Sequence, residues 1–144
     1  MKLIDAHAHL QFPQFDEDRE RVIARAREAG IGIINVGTDL GTSRGAVKLA
    51  EAHPDMWATV GIHPTDLPES DQIDDVFVEL ERLAHHRRVV GIGECGLDYF
   101  HVKDREEIER QQEIFERQIK LAKIVNKPLM VHCRPSPGTQ DAYK

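Results

Sequence analysis

The chain has 144 residues, of which 40% are hydrophobic and 31% are charged, and its formal net charge is -6. This length suits one ordinary domain, so we expect residues 1–144 to form a single domain. The apolar runs fall short of the ~18 residues that a membrane-spanning helix requires, which excludes a membrane protein. An acid and two histidines occupy the segment where a secretory leader would be apolar, which predicts a cytoplasmic protein. The acidic balance also excludes a broad basic surface for nucleic acid, so any phosphate-bearing substrate would need a local cation.

Strand-like and helix-like segments alternate along the whole chain. Near-continuous apolar runs rich in β-branched residues predict parallel strands that are covered on both faces. We predict five such strands, at residues 2–6, 32–37, 56–62, 89–94 and 129–133. Between them we predict four helices, at residues 16–29, 42–53, 71–86 and 104–126. This alternation indicates repeated β-α units around a parallel sheet.

The two longest predicted helices carry clear apolar patterns. The helix at 71–86 should face the sheet through a stripe at helical spacing: Ile73, Val76, Phe77, Leu80, Leu83 and Ala84. The helix at 104–126 should bury Ile108, Phe115, Ile119 and Ala122, and place on its solvent side the pairs Glu106/Arg110, Glu113/Arg117 and Glu116/Lys120. After the fifth strand, residues 135–138 resemble a loop and residues 139–144 the start of another helix. A sixth β-α unit is therefore expected to be missing.

Histidines follow the first predicted strand as His7-x-His9. Spacing by two places both imidazoles on one side of an extended chain, where they can share a metal ion. A single His-x-His is common and often structural. Its position at the carboxyl end of a strand favours function, because functional groups gather at that end of parallel α/β sheets.

Three further polar residues, His63, Glu94 and His132, lie at equivalent strand ends. Each alone is most simply a hydrogen-bonded structural group. Together they favour a metal site, because an ionised carboxylate and several imidazoles at converging strand ends are costly unless they are paired or bound to a cation. Such ligands suit Zn²⁺, Mn²⁺ or Fe²⁺, whereas Mg²⁺ prefers oxygen. Glu94 is the only acid at these ends, so it is the candidate to bridge two ions, an arrangement suited to phosphodiester hydrolysis.

Other polar residues carry weaker signals. Arg134 could clamp a phosphate or be a surface loop arginine, and Asp98 could orient a ligand histidine or belong to a turn. The two cysteines form no C-x-x-C motif and are predicted to be reduced packing residues: Cys95 and Cys133. The histidines at helix ends are expected to be structural: His53, His85 and His86.

A glycine-rich segment, Gly91-x-Gly93-x-x-Gly96, matches a dinucleotide-binding fingerprint. Glu94 lies inside it, where its charge would oppose a pyrophosphate. The residues that follow are a poor helix start, so the structural context of that fingerprint is missing.

Four segments now stand in a recognisable order: IDAHAHL at 4–10, GIHP at 61–64, GIGECGLDY at 91–99 and VHCR at 131–134. In this order and spacing they resemble the TatD family of metal-dependent hydrolases. The resemblance implies a TIM-barrel-like (β/α)₈ fold with two divalent cations at the carboxyl ends of its strands. It also implies a deoxyribonuclease, which hydrolyses phosphodiester bonds of DNA.

The resemblance assigns roles to matching residues. His7 and His9 would bind one ion, Glu94 would bridge the two ions and act in catalysis, and His132 would bind the other ion. The identity of the ions stays open among Zn²⁺, Mn²⁺ and Mg²⁺.

The substrate would be DNA, and two further residues would lie near its phosphate. These are His63, also a candidate catalytic residue, and Arg134. No membrane partner is implied.

The resemblance covers only the amino-terminal part of the family. Family members supply one more histidine and an aspartate from later strands, and this chain has neither. A complete barrel needs eight strands, so we expect a truncated barrel of about five strands and four helices, with impaired activity. A non-catalytic metal-binding half-barrel, completed by a carboxyl-terminal chain or a second copy, is an alternative, and so is an amidohydrolase acting on cyclic amides.

Overall fold

The computed structural model describes residues 3–143, and it contains one five-stranded parallel sheet in the order β1-β2-β3-β4-β5. The strands are β1 Leu3–Ala8, β2 Ile31–Val36, β3 Met56–Val60, β4 Val89–Asp98 and β5 Leu129–Arg134. The helices that connect them are α1 Arg19–Glu28, α2 Leu40–Ala52, α3 Ile73–Ala84 and α4 Arg105–Val125. Sequential parallel strands joined by helices form half of a (β/α) barrel, which confirms the predicted fold class.

The element boundaries differ from the prediction at a few places. Lys2, assigned to the first strand, lies outside the described residues. Helix α1 begins three residues later than predicted, because a 3-10 turn at Pro13–Phe15 and further turn residues precede it. Helix α2 begins earlier, because Asp39 and Thr42 form a capping box in which each side chain accepts a hydrogen bond from the backbone N–H of the other residue. A 3-10 turn at Asp141–Tyr143 stands where the sequence predicts another helix start.

Strand β4 extends four residues beyond its predicted end. It continues to pair with β5 as far as the match of Asp98 with Arg134. The whole glycine-rich segment 91–96 therefore lies inside a strand, and no helix begins until Arg105. This placement agrees with the rejection of a dinucleotide-binding turn.

The core lies between the sheet and the helices, and α3 joins it as predicted. Four of the six residues of its stripe are buried and the other two are partly buried against the same cluster: Phe77, Leu80, Leu83 and Ala84, then Ile73 and Val76. For α4 the predicted stripe is wrong in part. Its buried residues are Gln111, Ile114, Gln118, Leu121 and Ala122, whereas Ile108, Phe115 and Ile119 are only half-buried.

Two glutamines explain the orientation of α4. Gln118 accepts a hydrogen bond from the N–H of Ile62 at 2.8 Å and donates to its carbonyl at 2.9 Å. Gln111 makes the same pair of contacts with the backbone of Asp98, at 2.9 and 3.2 Å. Buried backbone groups where β3 and β4 leave the sheet ladder need such partners, so polar side chains occupy the inner face of α4.

The charged face of α4 also differs in detail from the prediction. Arg110 donates to the carbonyl of Pro68, and Arg117 pairs with Asp74 of α3 at 2.9 Å, so both arginines are half-buried against neighbouring segments. Exposed acids of α4 remain in solvent.

The first and last strands leave open edges within residues 3–143. β1 pairs only with β2, and β5 pairs only with β4. Leu3, Ile4 and Val131 of these strands are exposed. An eight-stranded barrel would close both edges. None of the helices between residues 3 and 143 is long and apolar enough to span a membrane.

Candidate metal centre

The four candidate histidines form two groups at the carboxyl ends of the strands, and Glu94 belongs to both groups. One group is His7, His9 and Glu94, and the other is His63, Glu94 and His132. In each group the potential ligand atoms lie within 4.8 Å of one another. The side chains come from four strand ends that are far apart in sequence, and the parallel sheet brings them together.

The first group has a well-defined hydrogen-bond pattern. His9 donates from Nδ1 to the carbonyl of Val36 at 2.8 Å, which leaves its Nε2 as a lone-pair nitrogen in the neutral ring. That Nε2 lies 3.2 Å from Nε2 of His7, and the same His7 atom lies 3.1 Å from Oε2 of Glu94. Three potential ligand atoms thus converge, and one proton on His7 can satisfy only one of its two neighbours. A cation bound by all three atoms would satisfy the set.

His132 faces the other oxygen of Glu94. Its Nδ1 lies 3.3 Å from Oε1 of Glu94, and its Nε2 lies 3.0 Å from Oδ2 of Asp98. Asp98 accepts from Nε2 of His132, so Nδ1 is the nitrogen that faces Glu94. A proton or a bound cation between this nitrogen and the carboxylate would satisfy both groups. This is the carboxylate-histidine arrangement typical of metal ligands.

His63 has a different pattern, although it lies in the same group. Its Nδ1 accepts the backbone N–H of Thr65 at 3.2 Å and lies 2.7 Å from the Thr65 hydroxyl. The proton of the neutral ring is therefore on Nε2, which points toward Oε1 of Glu94 at 3.9 Å. Burial, and next the charge of neighbouring His132, lower the pKa of His63 below its ordinary value, so the neutral ring is favoured. His63 thus offers a hydrogen-bond donor to the centre.

Asp98 has both of the functions that its sequence position left open. Its Oδ1 accepts the backbone N–H groups of Phe100 and His101 at 3.1 and 2.8 Å, as in an Asx turn. Its Oδ2 lies 2.8 Å from Nδ1 of His101 and 3.0 Å from Nε2 of His132. Burial opposes its ionisation, but these hydrogen bonds outweigh burial and lower the pKa of Asp98 to about 2. The ionised carboxylate fixes the orientation of His132.

Close strand packing positions Glu94. A Cβ atom on Gly61 would lie 2.5 Å from Cα of Gly93, so β3 and β4 can approach this closely only with glycine at that position. Gly93 has a φ of 135°, which side-chain-bearing residues rarely adopt. The N–H of Glu94 then donates to the carbonyl of Gly37 at 2.8 Å. Its side chain is 13% exposed, so its two oxygens are held between the groups.

Arg134, predicted to meet a phosphate, lies outside both groups. Its guanidinium carbon stands 4.1 Å from the centroid of the Phe100 ring. The sequence reasoning missed Phe100 and also His101, which contacts Asp98. The available signal was their position directly after Asp98, at the same end of the sheet as the candidate ligands.

The cysteines and the remaining histidines contribute no member to either group among residues 3–143. Cys95 is buried, and burial, followed by the nearby charge of Glu94, raises the pKa of its thiol to about 12. Cys133 donates to the carbonyl of Ala142 at 3.0 Å. Both thiols are free, as predicted.

The family model for TatD related DNase matches residues 4–144. The 3'-5' ssDNA/RNA exonuclease TatD of Pantoea ananatis is 43% identical over 134 residues, which are 92% of this chain and 50% of that protein. The uncharacterized metal-dependent hydrolase YabD of Bacillus subtilis is 40% identical over 133 residues, 92% of this chain and 51% of that protein. The chain thus spans about half the length of the curated relatives it matches.

Solved structures agree with this result. The crystal structure of YJJV, a TatD homologue from Escherichia coli K12, aligns with a TM-score of 0.77 and 33% identity over 92% of this chain and 51% of that one. A TatD family hydrolase from Entamoeba histolytica aligns with a TM-score of 0.74 and 25% identity over 92% of this chain and 50% of that one. The sequence, the half-barrel and the two ligand groups together show that this chain belongs to the TatD-related DNase family.

Proposed function

We propose that this chain supplies the metal ligands and the substrate-facing side chains of a metal-dependent hydrolase that cleaves phosphodiester bonds of DNA. The observation that carries the proposal is the placement of Glu94. One of its oxygens lies 3.1 Å from His7 and the other 3.3 Å from His132, so the carboxylate faces both ligand groups at once. Bridging carboxylates of this kind are typical of two-metal phosphodiester hydrolysis.

The donor set fits two divalent cations. His7, His9 and one oxygen of Glu94 would hold the first, and His132 with the other oxygen of Glu94 would hold the second. A pair of such cations supplies Lewis-acid stabilisation of the negative charge that develops on the attacking and leaving oxygens of a phosphodiester. The second position receives only two ligands from this chain when His63 acts as a donor. The half of the family length that this chain does not span is the expected source of the others.

The remaining side chains of the site act on the substrate or on the ligands. Neutral His63 would donate from Nε2 to a phosphate oxygen, because its other nitrogen is engaged by Thr65. Asp98 would keep His132 in the orientation that turns Nδ1 toward Glu94. The N–H edges of the Arg134 guanidinium would donate to a phosphate.

DNA as substrate is supported by the family, TatD related DNase, and by relatives such as the 3'-5' ssDNA/RNA exonuclease TatD of Pantoea ananatis. With a net charge of -6, this chain attracts a polyanion only through local positive charge, and bound cations would supply it. We also propose that residues 1–144 form one domain, since all four helices pack on one core. If the completed enzyme left DNA intact and hydrolysed cyclic amides, the amidohydrolase alternative would replace this assignment.

Calorimetric titration of the 144-residue chain with Mn²⁺ tests the metal centre. We expect weak binding that Glu94→Gln lowers at least tenfold, because a carboxamide loses the charge and one ligand oxygen. Glu113→Gln, on the exposed face of α4, is the matched control and should bind like the unaltered chain. Equal Mn²⁺ binding by Glu94→Gln and the unaltered chain would contradict the assignment.

A nuclease assay on a labelled single-stranded oligonucleotide tests the reaction. We expect little hydrolysis by the chain alone, and chelator-sensitive hydrolysis once the carboxyl-terminal half of a family member is added. Strong activity of the isolated chain that survives Glu94→Gln would show that the site lies elsewhere.

A second candidate function is a non-catalytic half-barrel that assembles with another chain. The open edges of β1 and β5, with exposed Leu3 and Val131, favour it. Analytical ultracentrifugation distinguishes the two candidates, since a well-folded monomer would exclude assembly with a second copy.

A further inference from the structure

Phe100 is a large apolar side chain that remains 40% exposed beside the candidate metal centre. It follows β4 by two residues, and its N–H donates to Oδ1 of Asp98 at 3.1 Å. The other oxygen of that carboxylate contacts His132 at 3.0 Å. A single buried carboxylate thus fixes the backbone of Phe100 relative to a candidate ligand. Core packing does not account for an aromatic ring exposed at this position.

Arg134 covers part of the Phe100 ring. Its guanidinium carbon lies 4.1 Å from the ring centroid, a cation–π contact, and Arg134 is itself exposed. His132 and Arg134 are two residues apart on β5, so they project from the same side of the strand, about 7 Å apart along it. The aromatic-guanidinium pair therefore lies one step beyond the ligand His132 along β5.

His101 contacts the Phe100 ring from its edge. The two ring centroids are 5.0 Å apart at an interplanar angle of 79°, and Nδ1 of His101 lies 2.8 Å from Oδ2 of Asp98. The Phe100 ring thus contacts both Arg134 and His101. These contacts restrict the ring before any ligand arrives, which lowers the ordering cost of binding a flat ligand.

We propose that Phe100 and Arg134 form a stacking platform for an unpaired nucleobase of the substrate, next to the phosphate at the metal centre. The proposal rests on the proposed nuclease function and adds a substrate-positioning element to it. Aromatic rings and guanidinium planes stack with any nucleobase, because every base has a π face. The N–H edges of Arg134 stay available to the adjoining phosphate while its plane stacks. A base inside a duplex does not expose its face, so the platform selects unpaired ends.

Fluorescence anisotropy with a labelled eight-nucleotide oligothymidylate tests the platform, with Mn²⁺ present and phosphorothioate linkages to prevent cleavage. We expect Phe100→Leu to weaken binding roughly tenfold, within the range for loss of one stacked base. Phe100→Tyr keeps the ring and should bind within about twofold of the unaltered chain. Arg134→Lys keeps the charge but loses the plane, so it should also weaken binding. Phe115→Leu, at a half-buried ring of α4, is the matched control and should have no effect.

A set of oligothymidylates, each with one abasic position, separates stacking from a structural effect. We expect one abasic position at which Phe100→Leu loses its effect, because the stacked base is already absent. The platform would be overturned if Phe100→Leu lowered the binding affinity equally for every abasic oligonucleotide, or if it did not lower the affinity at all. If Glu94→Gln weakens binding and Phe100→Leu does not, the platform fails and the nuclease assignment stands. No binding of the oligonucleotide by the unaltered chain with Mn²⁺ would overturn the platform, whereas the nuclease assignment fails only if the chain completed with a carboxyl-terminal half leaves DNA intact.

Discussion

Replacement of Asp98 by asparagine should weaken both the fold and the metal centre. Asp98 is only 1% exposed and accepts hydrogen bonds from two backbone N–H groups and from the rings of His101 and His132. Asparagine keeps one acceptor oxygen for the backbone. Its NH₂ group then faces ring nitrogens that carry protons, so at least one donor is left without a partner.

The expected cost follows from the charge on Asp98. Lowering its pKa from 3.8 to about 2 on folding corresponds to about 2 kcal/mol of stability at neutral pH. One unsatisfied buried donor costs a similar amount, about 1–3 kcal/mol. We therefore expect Asp98→Asn to lower the free energy of unfolding of the metal-free chain by about 2–3 kcal/mol. Because His132 loses its orienting partner, Mn²⁺ affinity should fall roughly 10–100-fold.

The effect on stability should depend on pH. The pKa of Asp98 is lower in the folded chain than in the unfolded chain, so its contribution is complete above the unfolded value near 3.8. It fades as the pH falls through that value toward 2, where the folded-state carboxylate is protonated. Urea denaturation in the presence of a chelator, followed by circular dichroism, should show the difference between the variant and the unaltered chain shrinking below about pH 4.

Asp104→Asn is the matched control for this experiment. Asp104 caps α4 through hydrogen bonds from the N–H groups of Glu106 and Glu107, and asparagine caps helices about as well as aspartate. The control should change stability by less than about 0.5 kcal/mol. If Asp98→Asn unfolds at the same urea concentration as the control and binds Mn²⁺ equally well, Asp98 neither stabilises the fold nor orients His132.

Three further predictions concern the fold. Gln118→Leu should lower the free energy of unfolding by about 2–3 kcal/mol, because the N–H and carbonyl of Ile62 lose their buried partners; unchanged urea denaturation would contradict it. Gly61→Ala should lower the free energy of unfolding by more than about 1 kcal/mol, because the new Cβ would lie within 2.8 Å of three backbone atoms of β4. An unchanged melting temperature would argue against this contact. In native protein, iodoacetamide should modify half-buried Cys133 before buried Cys95, and mass spectrometry showing the reverse order would mean that β4 opens more readily than its packing implies.

The sequence by itself determined the fold class and the candidate ligands. The alternation of strands and helices follows from hydrophobic periods that each segment carries alone. His7, His9, Glu94 and His132 could be selected because the carboxyl ends of parallel strands converge, whatever the details of packing. The stripe of α3 was equally readable, since only apolar residues face the sheet there.

Only the tertiary structure decided what depends on a distant partner. Gln118 is buried because it binds the backbone of Ile62, 56 residues away, and no local pattern indicates that a polar residue belongs in the core. His63 can act as a donor at the centre only because β3 and β4 bring its Nε2 to 3.9 Å from Oε1 of Glu94. The contact of Arg134 with Phe100 depends on the register of β4 and β5.

Hydrophobic periodicity is a property of a segment, so the sequence carries it directly. Hydrogen-bond geometry, ring protonation and stacking are properties of pairs of groups held within a few ångströms, and such pairs exist only once the sheet has brought remote strand ends together. The sequence therefore identified which residues meet at the centre, and the folded chain decided which atoms face each other there.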